Sequence, residues 1–309
     1  MSVLSMEKDL QDKISAHKKR IQYNYLSYTL SSNIEIKLLN ELSSNKSPEI
    51  FFDVAGEIED SFKFKKRTLI LQSNKSKTVI YKKYLGLFTL REGKTIEFSP
   101  FAKFDSLSLS NTLLNLVFGF ILYQRDVNVL HASAVEINNK AVLFVGPSGS
   151  GKSSLSSLFS EIGGFITEDL GILKKYQNKI HIQKTLPIIK LEYSDSEQVG
   201  FLPDDQRNRS LYYSDNGAKQ EFTDISMIYF LQWGKTLEIL EPSIKDLIYN
   251  FQISLFGAFP FNSCKKSSMQ ALNLISQLEE STRIRICSRS KEVSLDATYK
   301  LLREDMKCH

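Results

Sequence analysis

The sequence has little cysteine. Three in 309 residues, Cys264, Cys287 and Cys308, are an odd count without CxxC spacing, which argues against both a disulfide framework and a zinc site. They read as plain thiols. An N-terminal apolar stretch of signal length is also missing, because Met1 to Tyr25 is broken throughout by charge (Glu7, Lys8, Asp9, Asp12, Lys13, Lys18, Lys19, Arg20). The expectation is therefore a cytoplasmic protein. The longest uncharged run, Ser106 to Gln124, includes Asn111, Asn115, Gly119 and several serines. Its strongly apolar part falls short of the roughly 20 residues of a membrane span, so it reads as a buried helix and no membrane partner is expected. A long stripe of one charge sign is absent too: the net charge is +5 and basic residues are scattered among acidic ones. Nucleic acid is therefore not an expected partner, whereas a small positive surplus suits an anionic ligand.

What is present divides into two halves, expected as a β-rich domain over 1–125 and a second domain over 126–309. Residues 1 to about 30 place Leu10, Ile14, Ile21 and Tyr25 close to helical spacing, which predicts a leading helix. From Ile34 to Phe98, stretches such as EIFFDV, TLILQ and KTVIYKKYLGLFTL predict strands joined by tight turns. Phe104 to Tyr123 predicts a bridging helix. The second half opens with NVLHASAVEI and KAVLFVG, separated by Asn138-Asn139, which predicts a hairpin. A helix over Ser153 to Ile162 follows, ended by Gly163-Gly164, and FITEDLGIL returns as a strand or strand end. KIHIQKT, PIIKLE, DISMIYFLQW and TLEILE predict further strands; IKDLIYNFQISLFG, SMQALNLISQLEES and ATYKLLREDM predict helices. The fold class expected is α/β (α+β).

Between the strand VLFV and the following helix lie Gly146, Pro147, Ser148, Gly149, Ser150, Gly151, Lys152 and Ser153, a full match to G-x-x-x-x-G-K-[S/T] in the required context. Glycines let the backbone wrap closely around phosphates with its amides turned inward, and the helix start adds unpaired N–H groups. Lys152 is placed to reach the terminal phosphates and Ser153 to offer its hydroxyl to Mg²⁺. Ser148, Ser150 and Ser154 are additional candidates for phosphate hydrogen bonds. ATP and Mg²⁺ are the expected ligands. The plain alternative is a structural glycine turn.

The next acids, Glu168-Asp169, come only sixteen residues after Lys152. An LSGGQ-like signature and an NKxD motif are both missing, which points away from ABC-type ATPases and small GTPases. LHASAV (Leu130 to Val135), GPSGSGKSS and GGFITEDLGIL (Gly163 to Leu173), with a weaker echo in LPIIKL, resemble the HPr kinase/phosphorylase group, whose fold is related to phosphoenolpyruvate carboxykinase. The resemblance is strongest to its smaller relatives that act on peptide precursors, and it covers about Asn128 to Glu241. It implies a P-loop kinase domain preceded by a β-rich domain. It also implies that His131 sits beside the phosphate site. One of Glu168 and Asp169 then acts as general base for a hydroxyl acceptor, and the other, with Ser153, as metal ligand; the first acid is Glu where the family usually has Asp, which leaves that division open.

The glycine- and arginine-containing segment associated with phosphorolysis is not found; QVGFLPDDQRNRS occupies its region and reads as a loop. Arg207 and Arg209 there, and Lys219 beyond it, can neutralise transferring phosphate, grip an acidic substrate, or simply face solvent. The resemblance implies an ATP-dependent serine kinase acting on a ribosomally made, lasso-type precursor peptide. Alternatives are a kinase of a free small molecule (serine or a sugar), an HPr-type protein serine kinase, and an ATP-binding regulatory protein without transfer. Related kinases often assemble, so a homo-oligomer stays open.

Overall fold

The structure, a computed structural model, describes residues 20–41, 46–59, 64, 66–101, 104–176, 179–203, 205, 207–257, 264–278 and 282–307. The first seven strands are β1 (Ile21–Tyr25), β2 (Tyr28–Ser32), β3 (Ile50–Val54), β4 (Thr68–Ser73), β5 (Lys77–Lys82), β6 (Gly86–Arg91) and β7 (Thr95–Pro100). They form one sheet in the order β1-β2-β3-β7-β6-β5-β4. The helix expected at the start of the chain is corrected over residues 21–32, which form a β hairpin; the rest of that expectation, residues 1–19, lies outside the described residues. The reason is visible in the side chains. Tyr23 and Tyr25 alternate inward and are buried, and Leu26 and Ser27 take positive φ (52° and 70°), the primed-turn geometry that matches strand twist.

Helix α1 (Ser106–Gln124) closes this sheet. Asp105 caps it, its carboxylate accepting from Ser108 N at 2.6 Å. It is long and apolar enough to span a membrane, longer than its polar interruptions suggest, but 72% of its apolar window is buried inside the protein. Its middle turn, Leu113–Val117, is a π-helix. The Tyr25 hydroxyl donates to the Leu114 carbonyl of that turn at 3.1 Å. The core formed here joins Phe52, Phe88, Phe98 and Phe118 to Val129, Leu170 and Ile172 of the second half.

The second half contains β8 (Asn128–Leu130), β9 (Ala132–Ile137), β10 (Lys140–Val145), α2 (Lys152–Ser160), β11 (Gly164–Thr167), β12 (Gly171–Tyr176) and β13 (Lys179–Gln183). It continues with β14 (Ile188–Leu191), β15 (Gln198–Phe201), β16 (Ser210–Tyr213), β17 (Phe222–Trp233) and β18 (Glu238–Leu240). It ends with α3 (Ile244–Ser254), α4 (Cys264–Gln277), β19 (Arg283–Arg289) and α5 (Leu295–Lys307). A nine-stranded sheet runs β11-β9-β10-β17-β13-β12-β8, with β19 beside β17 and β18 beside β19; β14, β16 and β15 make a separate small sheet. The expected hairpin at Asn138-Asn139 is present, both residues at positive φ. Three readings are corrected. FITEDLGIL is two strands, β11 and β12, broken at Glu168-Asp169; QVGFLPDDQRNRS contributes β15 and leads into β16; and RIRICSR, not anticipated, is β19. Short, polar-rich strands such as QVGF give little period-2 signal in one sequence.

Along β10 the side chains alternate. Leu143 and Val145 face a core covered by Phe251 of α3 and Leu274 of α4, while Val142 and Phe144 face Phe159 of α2 and Leu302 of α5. Helices therefore cover both faces of the sheet, and β10, β17 and β19 run parallel, the architecture in which ligands bind beyond the carboxyl ends of the strands.

Candidate functional site: the phosphate loop and the acidic turn

The glycine loop leaves β10 at that carboxyl end. Gly149 and Gly151 adopt φ of 87° and 99°, values an L side chain rarely tolerates. A Cβ on Gly149 would collide with Arg207 Nη2, and one on Gly146 would lie 2.5 Å from the Leu231 carbonyl. Gly151 serves as the N-cap of α2 without a side-chain cap, so the first amides of the helix stay available. The Ser150 hydroxyl is buried with no hydrogen-bond partner among the described residues. Lys152 Nζ donates to the carbonyls of Gly146 (2.9 Å) and Pro147 (3.3 Å). Burial holds its pKa below the ordinary lysine value, although Asp169 and Glu168 oppose the shift.

The sheet itself brings the other residues together. β8 pairs with β12 and β9 with β11, in register through Leu130↔Gly171 and Ala134↔Thr167. The chain crosses between these pairs at His131 on one side and at Glu168-Asp169 on the other. Two segments distant in sequence thus bend at the same seam, beside the start of α2. Asp169 takes φ of 60° there, which aspartate tolerates better than most residues.

The two acids differ in surroundings. Glu168, 7% exposed, accepts from the Ser153 hydroxyl and from Lys190 N. Burial first, then the neighbouring Asp169 charge, push its carboxyl up to about 7. Asp169 forms an ion pair with Lys190 Nζ at 3.0 Å and faces His131 Nδ1 at 3.6 Å. Burial pushes Asp169 up, but Lys190, His131 and Lys152 together overcome it and hold the carboxylate low. Lys190 is raised for the reciprocal reason: its carboxylate neighbours outweigh desolvation. Burial lowers His131 against the pull of Asp169, which favours the neutral imidazole.

Asp169, His131 and Lys190 line an open cavity of about 610 Å³ with Ser148, Gly149, Gly151, Lys152, Ser153 and Ser154, and Glu168 meets it through the Ser153 hydroxyl. Arg207, Arg209, Lys190 and Arg289 complete a strongly cationic wall. Arg209 is tied to Asp205 at 2.7 Å. Arg289 donates to the Ser150 carbonyl at 3.1 Å and stacks over Trp233 with 4.6 Å to the ring centroid. Of the residues singled out from sequence, His131, Ser148, Gly149, Gly151, Lys152, Ser153, Ser154, Asp169, Arg207 and Arg209 line it, and Glu168 joins them through the Ser153 hydroxyl. Lys219 does not: it lines a separate groove with Asn24, Gln183 and Glu221. Two cations escaped sequence reasoning. Lys190 carried a signal, as the single charge inside the apolar strand IIKL; Arg289 carried none once β19 went unrecognised.

The residues fit Mg²⁺ and a polyphosphate. Mg²⁺ is held by one or two hard oxygen ligands and completes its shell with water and substrate phosphates, and the adjoining Ser153 hydroxyl and Glu168 carboxylate supply such a pair. Among the described residues no group of three or more His, Cys, Asp or Glu is placed to hold a metal by itself. The loop with its turned glycines and partnerless Ser150 hydroxyl is a cradle for anionic oxygens.

No protein-family model matches the chain, and no curated protein matches it. Among solved structures, the Hpr(Ser) kinase/phosphatase from Coxiella burnetii is similar over 58% of this chain and 96% of that chain, with 14% sequence identity and a TM-score of 0.29. That superposition is too loose to assign roles to residues, which rest on the geometry above.

Proposed function

We propose that the protein is an ATP- and Mg²⁺-dependent kinase that phosphorylates a hydroxyl, with a serine of a ribosomally made precursor peptide of lasso type as the preferred acceptor. One observation carries this reading: an acidic turn sets one carboxylate against the serine of a complete phosphate loop and the other in the wall of the same cavity, beside a histidine and a lysine. Bound ATP supplies the phosphoryl group. The loop amides and Lys152 hold its phosphates, Ser153 and Glu168 hold the metal, and Arg207 and Arg209 face the transferring charge. Asp169 orients the acceptor hydroxyl and takes its proton as the oxygen–phosphorus bond forms and the bond to the bridging oxygen of ADP breaks. An ion-paired carboxylate is a weak base, but a loose phosphoryl-transfer transition state demands positioning more than early deprotonation.

The peptide acceptor rests on the motif resemblance, and the openness of the cavity suits it better than a free serine or sugar. The test is incubation with ATP, Mg²⁺ and the peptides encoded beside this gene, read by mass. A gain of one or more phosphates supports the reading; ATP binding with no phosphorylated product on any peptide, serine or sugar favours a regulatory ATP-binding protein.

A further inference from the structure

Glu168 borders a second, much smaller cavity on the side facing the first half of the chain. Its walls are Tyr25, Leu38, Leu114 and Asn115 from the front half and Glu168, Thr185, Leu186 and Ile188 from the second, with Asn111 beside Asn115; its volume is about 20 Å³. A water needs about 10–15 Å³ of such space and two to four polar partners. The polar groups are there. Asn115 Nδ2 donates to Asn111 O (3.1 Å) and Oδ1 (3.0 Å), and its own Oδ1 takes no donor among the described residues. Thr185 Oγ1 already donates to Thr167 Oγ1 at 2.9 Å and can still accept. An acceptor on Asn115 and a carboxylate on Glu168, both in the lining of one water-sized cavity, call for a bridge with two hydrogens to give.

The backbone around Asn115 is unusual in the same place. The π turn Leu113–Val117 widens the helix by one residue, and such turns recur at functional sites. Tyr25, itself buried, secures the turn through its bond to the Leu114 carbonyl. The effect is to direct this part of α1 at the back of the acidic turn.

We infer that this cavity is a water site and that Asn115 is a positioning residue for Glu168: the water donates to Asn115 Oδ1 and to the Glu168 carboxylate, holding that carboxylate in the rotamer that meets Ser153. Helix α1 thereby sets the geometry of the carboxylate in the second half. The water site stands on the cavity alone, whereas its consequence for Mg²⁺ rests on the kinase reading.

The experiment has two arms. The first is a crystal structure of the full chain at high resolution, with the Asn115→Leu variant beside it. An ordered water within hydrogen-bond reach of Asn115 and Glu168, lost in Asn115→Leu, is expected; a dry cavity in the wild type overturns the inference. The second is calorimetry of ATP binding as Mg²⁺ is varied. Asn115→Leu should raise the Mg²⁺ requirement by about tenfold, the lower end of the effect of disturbing a ligand's supporting partner, while metal-free ATP binding stays the same. Asn115→Ser, which keeps an acceptor and leaves room for water, should recover most of the loss and guards against misfolding of the leucine variant. An unchanged Mg²⁺ requirement in Asn115→Leu also overturns the inference. If the wild type binds no Mg·ATP, the kinase reading fails and the first arm alone decides the water site.

Discussion

Glu168 and Asp169 are neighbours in the chain with opposite electrostatic fates, and the difference is measurable. Glu168 moves from an ordinary 4.5 to about 7 on folding. Between those values the native state keeps a proton that the unfolded chain releases, so stability falls as pH rises from about 4.5 to about 7 and the loss is complete above it. Asp169 works in the other direction and in another window: its lowered pKa stabilises the fold above its ordinary 3.8 and that contribution is lost as pH falls below it. In EDTA, melting temperature should decline across the upper window, and Glu168→Gln should flatten that decline; equal slopes for both proteins would contradict the assignment. Asp169→Asn should keep nucleotide binding while lowering turnover about 10²–10⁴-fold, the range for losing a group that handles the proton. Lys152→Ala should lower turnover by about 10²–10³-fold with the fold intact, as for removal of a donor to developing charge. Near-normal turnover in either variant, measured by mass on phosphorylated product, would remove that residue from the site.

At the scale of elements, the loop and its helix act together. Gly149 needs its positive φ and lies against Arg207, so Gly149→Ala should cost about 1–2 kcal/mol from the left-handed backbone alone and displace the arginine. Loss of ATP binding in calorimetry, with a lower melting temperature, is the expected outcome. The cap of α1 is a control remote from phosphate: Asp105→Ala should lower stability by about 1 kcal/mol in denaturant titration and leave nucleotide binding unchanged. The elements with strong signals were legible in sequence. The phosphate loop, the Asn138-Asn139 hairpin and the long apolar helix each depend on residues within a few positions of one another. The first hairpin was not, because Ile21 and Tyr25 satisfy a helical spacing as well as a strand alternation, and only the partner strand β2 decides between them. β19 was hidden for a related reason: Arg283 and Arg285 interrupt its apolar positions, and burial against β17 is what makes it a strand.

For the whole molecule, the shared core sets cooperativity. Phe118 is fully buried, edge-on to Tyr25 with ring centroids 4.8 Å apart, and its cluster reaches Val129, Leu170 and Ile172 next to the acidic turn. Phe118→Ala should cost about 3–5 kcal/mol, and the loss should appear in the same unfolding transition whether it is followed by tyrosine fluorescence or by ATP binding. Two separate transitions would mean the halves do not share their stability. The sequence alone determined the glycine loop between β10 and α2, since it lies in consecutive residues whose backbone conformation the glycines dictate. It also supplied His131 and the acidic pair as candidates. Only the tertiary structure decided which carboxylate meets Ser153, that Lys190 and Arg289 join the site while Lys219 does not, and that the front helix stands behind Glu168. Those outcomes depend on strand pairing between segments far apart in the chain, and pairing is fixed by burial and register, which no local pattern encodes.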